Sequence, residues 1–385
     1  MTIEVCTSLA GVDAAEWDAL TGSNHPFVEH AFLLTLERSG AVGPRTGWDP
    51  CFLLGRGPGG ALLAALPLYR KLHSYGEYIF DWAWAQAAQR ARIPYYPKLT
   101  AAVPFTPATG PRLLGAPALF PLLAEAAWQL CRELSASSVH ALFVPPDQRS
   151  LLVEQGWLGR STFQYHWENP GGWRDFQDYL DAMSSKRRKE VRRERAAARA
   201  CGLRIEVRDG EGLEPAHWEA MERFYRDTVA RMGGTAYLPP RFFSLAAESL
   251  RHRALMALAF SGDRVVAGAL AFSRGDTLYG RHWGSDIEQP GLHFELCYYA
   301  LIEWALARGI PRFEAGAQGE HKLSRGFLPR HTWSAHRFVD PRLTEGVGRW
   351  LQAEEQHTQE AVEALAEHGP FRECALMPIN SGALG

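Results

Sequence analysis

Glu16-Trp17-Asp18-Ala19-Leu20, near the start of the chain, has a counterpart in His217-Trp218-Glu219-Ala220-Met221 in the second half. After each segment come two apolar runs, at 51–54 and 61–69 in the first half and at 255–260 and 265–272 in the second. A Gly-Pro-Gly-Gly turn joins the first pair, and Ser261-Gly262-Asp263-Arg264 joins the second. Two apolar runs around such a turn predict a β-hairpin. The two halves therefore begin with the same elements in the same order.

Two further echoes follow. An apolar helix pattern with i, i+3, i+4 spacing covers 119–133 and again 294–308, and a short strand pattern comes after each, at 139–144 and 312–315. The halves also close alike, with Gln155-Gly156-Trp157-Leu158-Gly159-Arg160 and Arg325-Gly326-Phe327-Leu328-Pro329-Arg330. Four echoes in one order indicate tandem copies of a single unit.

The order of elements in each copy is strand, helix, antiparallel strands, helix and strand. We therefore predict a mixed α/β (α+β) chain of two modules with mostly antiparallel sheets. The predicted boundaries are 1–165 for the N-terminal module, 166–342 for the C-terminal module, and 343–385 for a final helix and tail. Gly369-Pro370 is a conventional end for that helix.

A strongly basic run occupies residues 184–199, with eight basic and two acidic side chains in a chain of net charge −2. The remainder therefore carries −8, so the positive charge is concentrated here. Good helix formers fill the run, which predicts a basic helix over 184–200. Cations at a helix N-terminus oppose the macrodipole, which indicates an anion to bind there, such as RNA or a nucleotide-linked substrate. A solvated charged helix would have the same composition. The predicted phosphate-binding or RNA-binding residues are Lys186, Arg187, Arg188, Lys189, Arg192, Arg193, Arg195 and Arg199.

The composition, 46% hydrophobic and 22% charged, is that of a soluble globular protein. The longest apolar stretch, at 61–69, is too short to span a bilayer, so we expect no integral membrane segment. The N-terminus has an early acid and no basic region typical of a secretory signal. Six cysteines are isolated from one another, without metal-ligand or redox spacing. We expect a cytoplasmic protein.

The order of elements resembles the acetyltransferase-like (GNAT) architecture, and two copies with a basic helix resemble the Fem family of aminoacyl-tRNA-dependent peptidoglycan transferases. The chain is most similar to the Fem-like "peptidoglycan biosynthesis/recognition" group. Besides the basic run, four segments carry this resemblance: Pro94-Tyr95-Tyr96-Pro97-Lys98-Leu99, Val103-Pro104-Phe105-Thr106-Pro107-Ala108-Thr109-Gly110-Pro111-Arg112, His293-Phe294-Glu295-Leu296-Cys297-Tyr298-Tyr299 and Glu314-Ala315-Gly316-Ala317-Gln318-Gly319-Glu320-His321-Lys322. It implies an acyl or aminoacyl transferase that forms an amide bond on a small amine acceptor, with aminoacyl-tRNA as donor.

The first-choice reaction centre is the glycine-spaced loop that follows the strand at 312–314. Its glycines allow a close approach of the backbone to a ligand. The Fem resemblance implies a lysine that stabilises an oxyanion; Arg325 holds the matching position, and Lys322 lies one turn earlier. Both are catalytic candidates, together with Glu320, and the predicted substrate-binding residues of the loop are Glu314, Gln318 and His321. A loop that merely caps and forms salt bridges would contain the same residue types.

Two other groups of candidates stand apart from this loop. His282, His293 and Glu295 are candidate general bases, because His and Glu commonly take a proton from an attacking amine. A proline-rich stretch at 95–112 combines aromatic and basic residues that suit a sugar or nucleotide. A well-packed structural loop would have the same composition. Its predicted substrate-binding residues are Tyr95, Tyr96, Lys98, Thr106 and Arg112.

A GNAT enzyme holds the pyrophosphate of coenzyme A on a glycine-rich loop at a helix N-terminus. At the matching position this chain has Glu288-Gln289-Pro290-Gly291-Leu292-His293, with one glycine and a proline that removes a donor. We expect no tightly bound cofactor and no metal site, and either aminoacyl-tRNA or acyl-CoA as co-substrate. The alternatives are an acyl-CoA-dependent N-acyltransferase and a non-catalytic binding protein for cell-wall fragments or a partner. The sequence leaves the oligomeric state open.

Overall fold

The computed structural model describes residues 1–23, 25–170, 172–200, 202–317 and 319–372. The chain forms two compact units. The first comprises Met1–Phe163, Tyr237–Ser249 and His331–Ala361, and the second comprises Gln164–Ala236, Leu250–Arg330 and Val362–Gly385. The module boundaries at 165 and 342 stay predictions, because they describe the repeated sequence order rather than this division by contacts.

Fifteen strands form in the described residues: β1 Thr2–Cys6, β2 Trp48–Pro50, β3 Phe52–Arg56, β4 Leu62–Leu66, β5 Leu68–Lys71, β6 Lys98–Ala101, β7 Leu114–Gly115, β8 Ser138–Val144, β9 Leu158–Glu168, β10 Arg204–Asp209, β11 Ala254–Ser261, β12 Arg264–Arg274, β13 Thr277–Ser285, β14 Arg312–Glu314 and β15 Phe327–Phe338. The α-helices are α1 Ala14–Asp18, α2 His30–Ser39, α3 Trp82–Arg90, α4 Phe120–Glu133, α5 Pro146–Glu154, α6 Phe176–Ala182, α7 Ser185–Arg199, α8 Pro215–Arg231, α9 Pro240–Ser249, α10 Leu292–Phe294, α11 Ala300–Ala307 and α12 Pro341–Glu367. A π-helical turn, Glu295–Tyr299, links α10 to α11.

In the first unit, β1, β3, β4 and β7 form a four-stranded antiparallel sheet. A second set of strands runs in the order β15-β8-β6-β5-β2, with only the β6–β8 pair parallel. One face of this second set, including Leu99, Val139 and Ala335, packs into a core with the apolar side of α4. Because strand side chains alternate between faces, this core fixes which residues of β5, β6 and β8 point the other way.

In the second unit, the strand order is β10-β11-β12-β13-β14-β9, and only β13 and β14 run parallel. Strands β11 and β12 are almost entirely buried, as expected of the continuous apolar runs at 255–260 and 265–272. Strand β14 ends at Glu314, and the chain then enters the predicted reaction-centre loop.

The two units repeat one order of elements, as the sequence predicts. Strand β1 pairs with β3 as β10 pairs with β11, and the hairpin β3–β4 corresponds to β11–β12. The parallel pair β6–β8 likewise corresponds to β13–β14. The echoed tryptophans, Trp17 in α1 and Trp218 in α8, are 0% and 2% exposed. The α/β fold class with two GNAT-like modules is confirmed, as are the basic helix, observed as α7, and the final helix, observed as α12.

We predict that Trp17→Ala lowers the free energy of unfolding by about 3–5 kcal/mol, because it leaves a large cavity and removes the partner of the Val28 carbonyl, bonded at 2.8 Å. Urea denaturation monitored by circular dichroism measures this. Leu122→Ala on α4, where the leucine is 52% exposed, is the control and should change stability little. Equal effects of the two variants would contradict the role of Trp17 as a core anchor of the first unit.

Candidate functional site

The loop after β14 folds into a 3-10 turn, Glu320–Arg325, which Gly326 ends with a φ of 82°. Lys322 is 3% exposed and donates from Nζ to the Gly316 carbonyl at 2.9 Å. Burial lowers the pKa of Lys322 to about 8, and no carboxylate of the described residues counteracts this effect. The loop therefore holds a buried amine whose charge changes close to neutral pH.

Arg325 is tied to the basic helix. Its Nη2 lies 2.6 Å from Oε1 of Glu194, and its guanidinium lies 3.3 Å above the ring of Phe294. Tyr299 donates its hydroxyl to the other oxygen of Glu194. Arg325 also donates to the His321 carbonyl at 2.6 Å, which stabilises the turn that carries Lys322. Arg325 is thus held by Glu194 and by the turn that it positions, with its Nε left without a hydrogen-bond partner among the described residues, whereas Lys322 uses one of its three N–H donors.

Aromatic side chains surround the same turn. The hydroxyl of Tyr298 lies 2.9 Å from Nε2 of His321, and the ring of His293 lies 5.8 Å from that of His321 and 4.9 Å from that of Trp283. Burial, together with neighbouring cations, lowers the pKa of His293 to about 4 and also lowers the pKa of His321. Both imidazoles are therefore neutral at pH 7, and the same burial makes His293 a weak proton acceptor.

Glu295 faces away from this group. Its carboxylate is 0% exposed and lies 3.0 Å from Nε of Arg195 and 3.1 Å from Nη2 of Arg199. Glu303 contacts Arg195 from the solvent side. The π-helical turn begins at Glu295, and such turns change which residues of a helix share a face. The structure therefore uses the Glu295 carboxylate to hold helix α7.

The remaining candidates of this unit are more scattered. His282 packs its ring against Tyr225 of α8, at 4.7 Å between centroids, so Trp283 rather than His282 meets His293. Glu314 is buried, with Oε2 at 4.0 Å from Nε2 of His166. Burial lowers the pKa of His166 to about 3, so this contact is not an ion pair at neutral pH. Glu320 is exposed, and Gln318 lies outside the described residues.

Helix α7 divides its cations between two sides. Five of them bind protein carboxylates or amides: Arg187 to Glu190 of the same helix, Arg188 to Asp181, Arg192 to Gln177, and Arg195 and Arg199 to Glu295. Lys186, Lys189 and Arg193 are exposed, and their i, i+3, i+7 spacing places them on one side of the helix. Across the described part of the chain, none of these three forms a salt bridge or hydrogen bond. We call them the outer cation stripe.

The backbone of α7 also covers the start of α10. A Cβ placed on Gly291, which caps α10 with a φ of 79°, would lie 2.6 Å from the carbonyl oxygen of Glu194. Gln289 donates to the Ala197 carbonyl at 2.9 Å. In a GNAT enzyme, this helix start is where the pyrophosphate of coenzyme A would bind. In this chain a second helix occupies the space beside it.

The candidates of the first unit form a separate buried group. Lys98 is 0% exposed and donates to Ser74 at 2.8 Å, to Glu77 at 2.8 Å and to Asp81. Tyr95 donates to Asp81 at 2.7 Å, and Tyr96 shares a hydrogen bond with Ser74. The two carboxylates outweigh the burial of Lys98 and raise the pKa of its ammonium. The proposed substrate residues Tyr95, Tyr96 and Lys98 therefore form one network with each other.

Thr106 and Arg112 lie elsewhere in that unit and bind backbone. Thr106 donates to the Pro104 carbonyl at 3.0 Å, and Arg112, 0% exposed, donates to the carbonyls of Gly110 and Ala108 at 2.9 and 2.8 Å. These bonds brace the proline-rich loop. The structure thus brings together Lys322, Arg325, His321 and His293 in the second unit, and leaves Thr106 and Arg112 apart from Lys98.

Sequence reasoning missed Glu194, Phe294 and Tyr298 as members of this site. In the sequence, Glu194 is one of two acids in a basic run. Phe294 and Tyr298 belong to an apolar helix pattern, which indicates burial but no role in a site. A signal was available, because an acid inside a basic helix usually has a buried cation as partner. Within the described ranges, no three His, Cys, Asp or Glu side chains converge in a way that would hold a metal ion. No described helix has the length and apolarity needed to cross a membrane.

We predict that Glu295→Gln lowers the free energy of unfolding by about 3–5 kcal/mol, because the largely buried Arg195 then loses its buried carboxylate partner and keeps only the exposed Glu303. Glu303→Gln is the matched control: it removes a carboxylate from the same arginine, but one that is 53% exposed, and should cost about 1 kcal/mol or less. Chemical denaturation of both variants measures the difference. Near-equal losses would mean that Glu295 does not anchor helix α7.

Comparison with known proteins agrees with this architecture. No curated protein sequence matches the chain. Among solved structures, FemX has 11% identity over 90% of this chain and 100% of its own, with a TM-score of 0.53. L-PGS from Bacillus licheniformis has 13% identity over 88% and 97%, with a TM-score of 0.52. The C-terminal domain of a protein named as a lysylphosphatidylglycerol synthetase, from Agrobacterium fabrum, has 11% identity over 88% and 95%, with a TM-score of 0.54. At these identities the likeness establishes a shared fold.

A family model, described as peptidoglycan biosynthesis/recognition, matches residues 8–373. This match covers nearly the whole chain, both units and the basic helix included. The chain belongs to the FemAB-like family.

Proposed function

We propose that this protein transfers an aminoacyl group from a charged tRNA to an amine, forming an amide bond. Membership of the FemAB-like family supports an acyl or aminoacyl transferase in a peptidoglycan-related process. The observation that supports the choice of donor is the placement of helix α7, through both its backbone and its exposed cations. Its backbone fills the space beside Gly291, where an acyl-CoA would need its pyrophosphate, while the outer cation stripe stays available for phosphates.

Transfer needs a positive charge where the oxyanion develops. The acceptor amine attacks the ester carbonyl of the donor, a C–N bond forms, the ester C–O bond breaks, and the terminal ribose hydroxyl leaves. We assign the oxyanion contact to the Lys322 ammonium, because it has no carboxylate partner among the described residues. Arg325, bound to Glu194, acts as a positioning residue for that turn. His321, which is exposed and bonded to the Tyr298 hydroxyl, is the nearby proton acceptor, because burial lowers the pKa of His293 to about 4 and makes it a weak base.

The acceptor in this proposal is a free amine on a peptidoglycan precursor. This part rests on the family description, because FemAB-like proteins are associated with peptidoglycan biosynthesis or recognition. FemX and L-PGS share the fold of this protein. The matched region covers 100% of the FemX chain and 97% of the L-PGS chain. A radiolabelled aminoacyl-tRNA pool, incubated with the protein and amine-bearing muropeptides, tests the reaction directly. A parallel reaction contains radiolabelled acetyl-CoA in place of the tRNA. Label that reaches the muropeptides from acetyl-CoA but not from tRNA would overturn the assignment of the donor.

We predict that neutralising the outer cation stripe weakens tRNA binding in a salt-dependent way. The triple variant Lys186→Gln, Lys189→Gln, Arg193→Gln should reduce the slope of log affinity against log salt by about 2–3, because three phosphate contacts are lost. Filter binding with bulk tRNA across a salt series measures the slope. The control neutralises three exposed arginines elsewhere, Arg226, Arg251 and Arg349, for the same change in net charge. Equal slopes for the two triple variants would contradict a tRNA site on α7.

We predict that Lys322→Met lowers kcat by about 100-fold with little change in the donor KM, since the lost contact forms only in the transition state. Because the pKa of Lys322 is about 8, the wild-type rate should fall as pH rises through about 8, where the amine loses its charge. Lys322→Arg keeps a charge, so its activity should persist at higher pH. Arg312→Met, an exposed cation on β14, is the control. A wild-type rate that rises through pH 8 would instead assign Lys322 the role of a base.

A further inference from the structure

A short segment that follows helix α12, residues 370–372, folds back onto the start of the basic helix in the second unit. The N–H of Ser184, which is the N-cap residue of α7, donates to the Pro370 carbonyl at 2.9 Å. The next residue, Phe371, forms an antiparallel bridge with Met183. We call residues 370–372 the strap. Its backbone is thereby fixed against the residues that lead into helix α7.

The side chain of Phe371 extends from the strap to the turn that carries Lys322. Gly326 ends that turn, and a Cβ placed on Gly326 would lie only 2.7 Å from Cζ of Phe371. The lack of a side chain at this position therefore lets the phenylalanine ring pack directly on the backbone. The centroid of the ring also lies 5.1 Å from that of Trp173 and 6.1 Å from that of Tyr179.

The two residues that Phe371 touches at the turn, Gly326 and Tyr179, hold the end of that turn through hydrogen bonds. The Gly326 N–H donates to the Lys322 carbonyl, and the buried Tyr179 hydroxyl donates to the Arg325 carbonyl at 2.7 Å. Without the phenylalanine ring, both bonds would lose the packing on one side. The position of the turn therefore depends on the strap as well as on its own hydrogen bonds.

We propose that Phe371 is a positioning residue for the transfer reaction, which holds the turn that carries Lys322 in a fixed place relative to the start of helix α7. The strap bonds to the N-cap of that helix and packs on the turn, so it joins the helix proposed to bind the donor to the proposed reaction centre. This link is separate from that of Glu194, which joins the helix to Arg325 through charge. The expected effect on rate rests on the proposed function, whereas the packing does not depend on the identity of the donor.

The kinetic test is Phe371→Ala. We expect kcat to fall about 10- to 100-fold with little change in the donor KM, because the turn is displaced while the outer cation stripe is intact. The pH at which the rate falls should also rise above about 8, because water admitted beside Gly326 reduces the burial of Lys322. Phe371→Leu keeps part of the packing and should show smaller changes in the same directions.

A second measurement does not require transferase activity. The chain has five lysines, so protein labelled with ¹³C at lysine Cε gives five NMR signals, and their pH titration gives the pKa of each amine. The signal that Lys322→Arg removes is that of Lys322. We expect the pKa of this amine to be about 8 in the wild type and to rise in Phe371→Ala towards its ordinary value of 10.5.

Trp304→Ala is the matched control, because Trp304 is another partly buried aromatic residue of the second unit. It packs on Arg308 and donates to Asp209, and in the described part of the chain it has no hydrogen bond or ring contact with the turn. The control should leave both kcat and the pKa of Lys322 as in the wild type. Thermal melting by circular dichroism checks that each variant folds.

The proposal is wrong if a folded Phe371→Ala protein keeps the wild-type pKa at Lys322, or if Trp304→Ala raises that pKa as much. If Phe371→Ala does not fold, Phe371→Leu decides the question by the same comparison. A raised pKa at Lys322 in a protein that transfers nothing from tRNA would overturn the proposed function and leave the positioning role of the strap in place.

Discussion

The contact between the Glu295 carboxylate and the guanidinium groups of Arg195 and Arg199 is the constraint on which the candidate site depends. A fully buried carboxylate is tolerated only with cations beside it, so these arginines must face inward. That requirement fixes the rotation of helix α7 about its own axis. The same rotation points Glu194 at Arg325 and leaves the opposite side of the helix, with Lys186, Lys189 and Arg193, towards solvent.

One helix thereby serves two purposes in the second unit. Through Glu194 it holds Arg325, which in turn bonds to the turn that carries Lys322. Through its backbone it packs so closely against Gly291 that no side chain would fit there. The close packing beside Gly291 and the solvent-facing row of three cations then follow from a single arrangement, and the proposal of tRNA as the donor rests on that arrangement.

The two units also show how surroundings decide what a buried lysine does. Lys98 has Glu77 and Asp81 within hydrogen-bonding distance, and they raise the pKa of its ammonium, which is therefore a permanent structural charge. Lys322 has only a carbonyl oxygen as its described hydrogen-bond partner, and burial lowers its pKa to about 8. A permanently charged lysine suits the anchoring of a loop such as 72–82, and a lysine that titrates near neutrality suits a reaction centre.

The sequence by itself determined the α/β class, the order of elements in two copies, the basic helix and the final helix, because apolar periodicity and turn residues are local signals. It also singled out the loop that holds Lys322 and Arg325. Only the tertiary structure decided that Arg325 is bound by Glu194, that Arg195 and Arg199 belong to Glu295, and that Lys98 lies in a different unit from the loop. Those facts depend on which side of a helix or strand faces its neighbour. Composition and spacing do not encode that choice. A cation that binds phosphate and a cation that binds a buried carboxylate have the same residue type and can have the same spacing in the sequence.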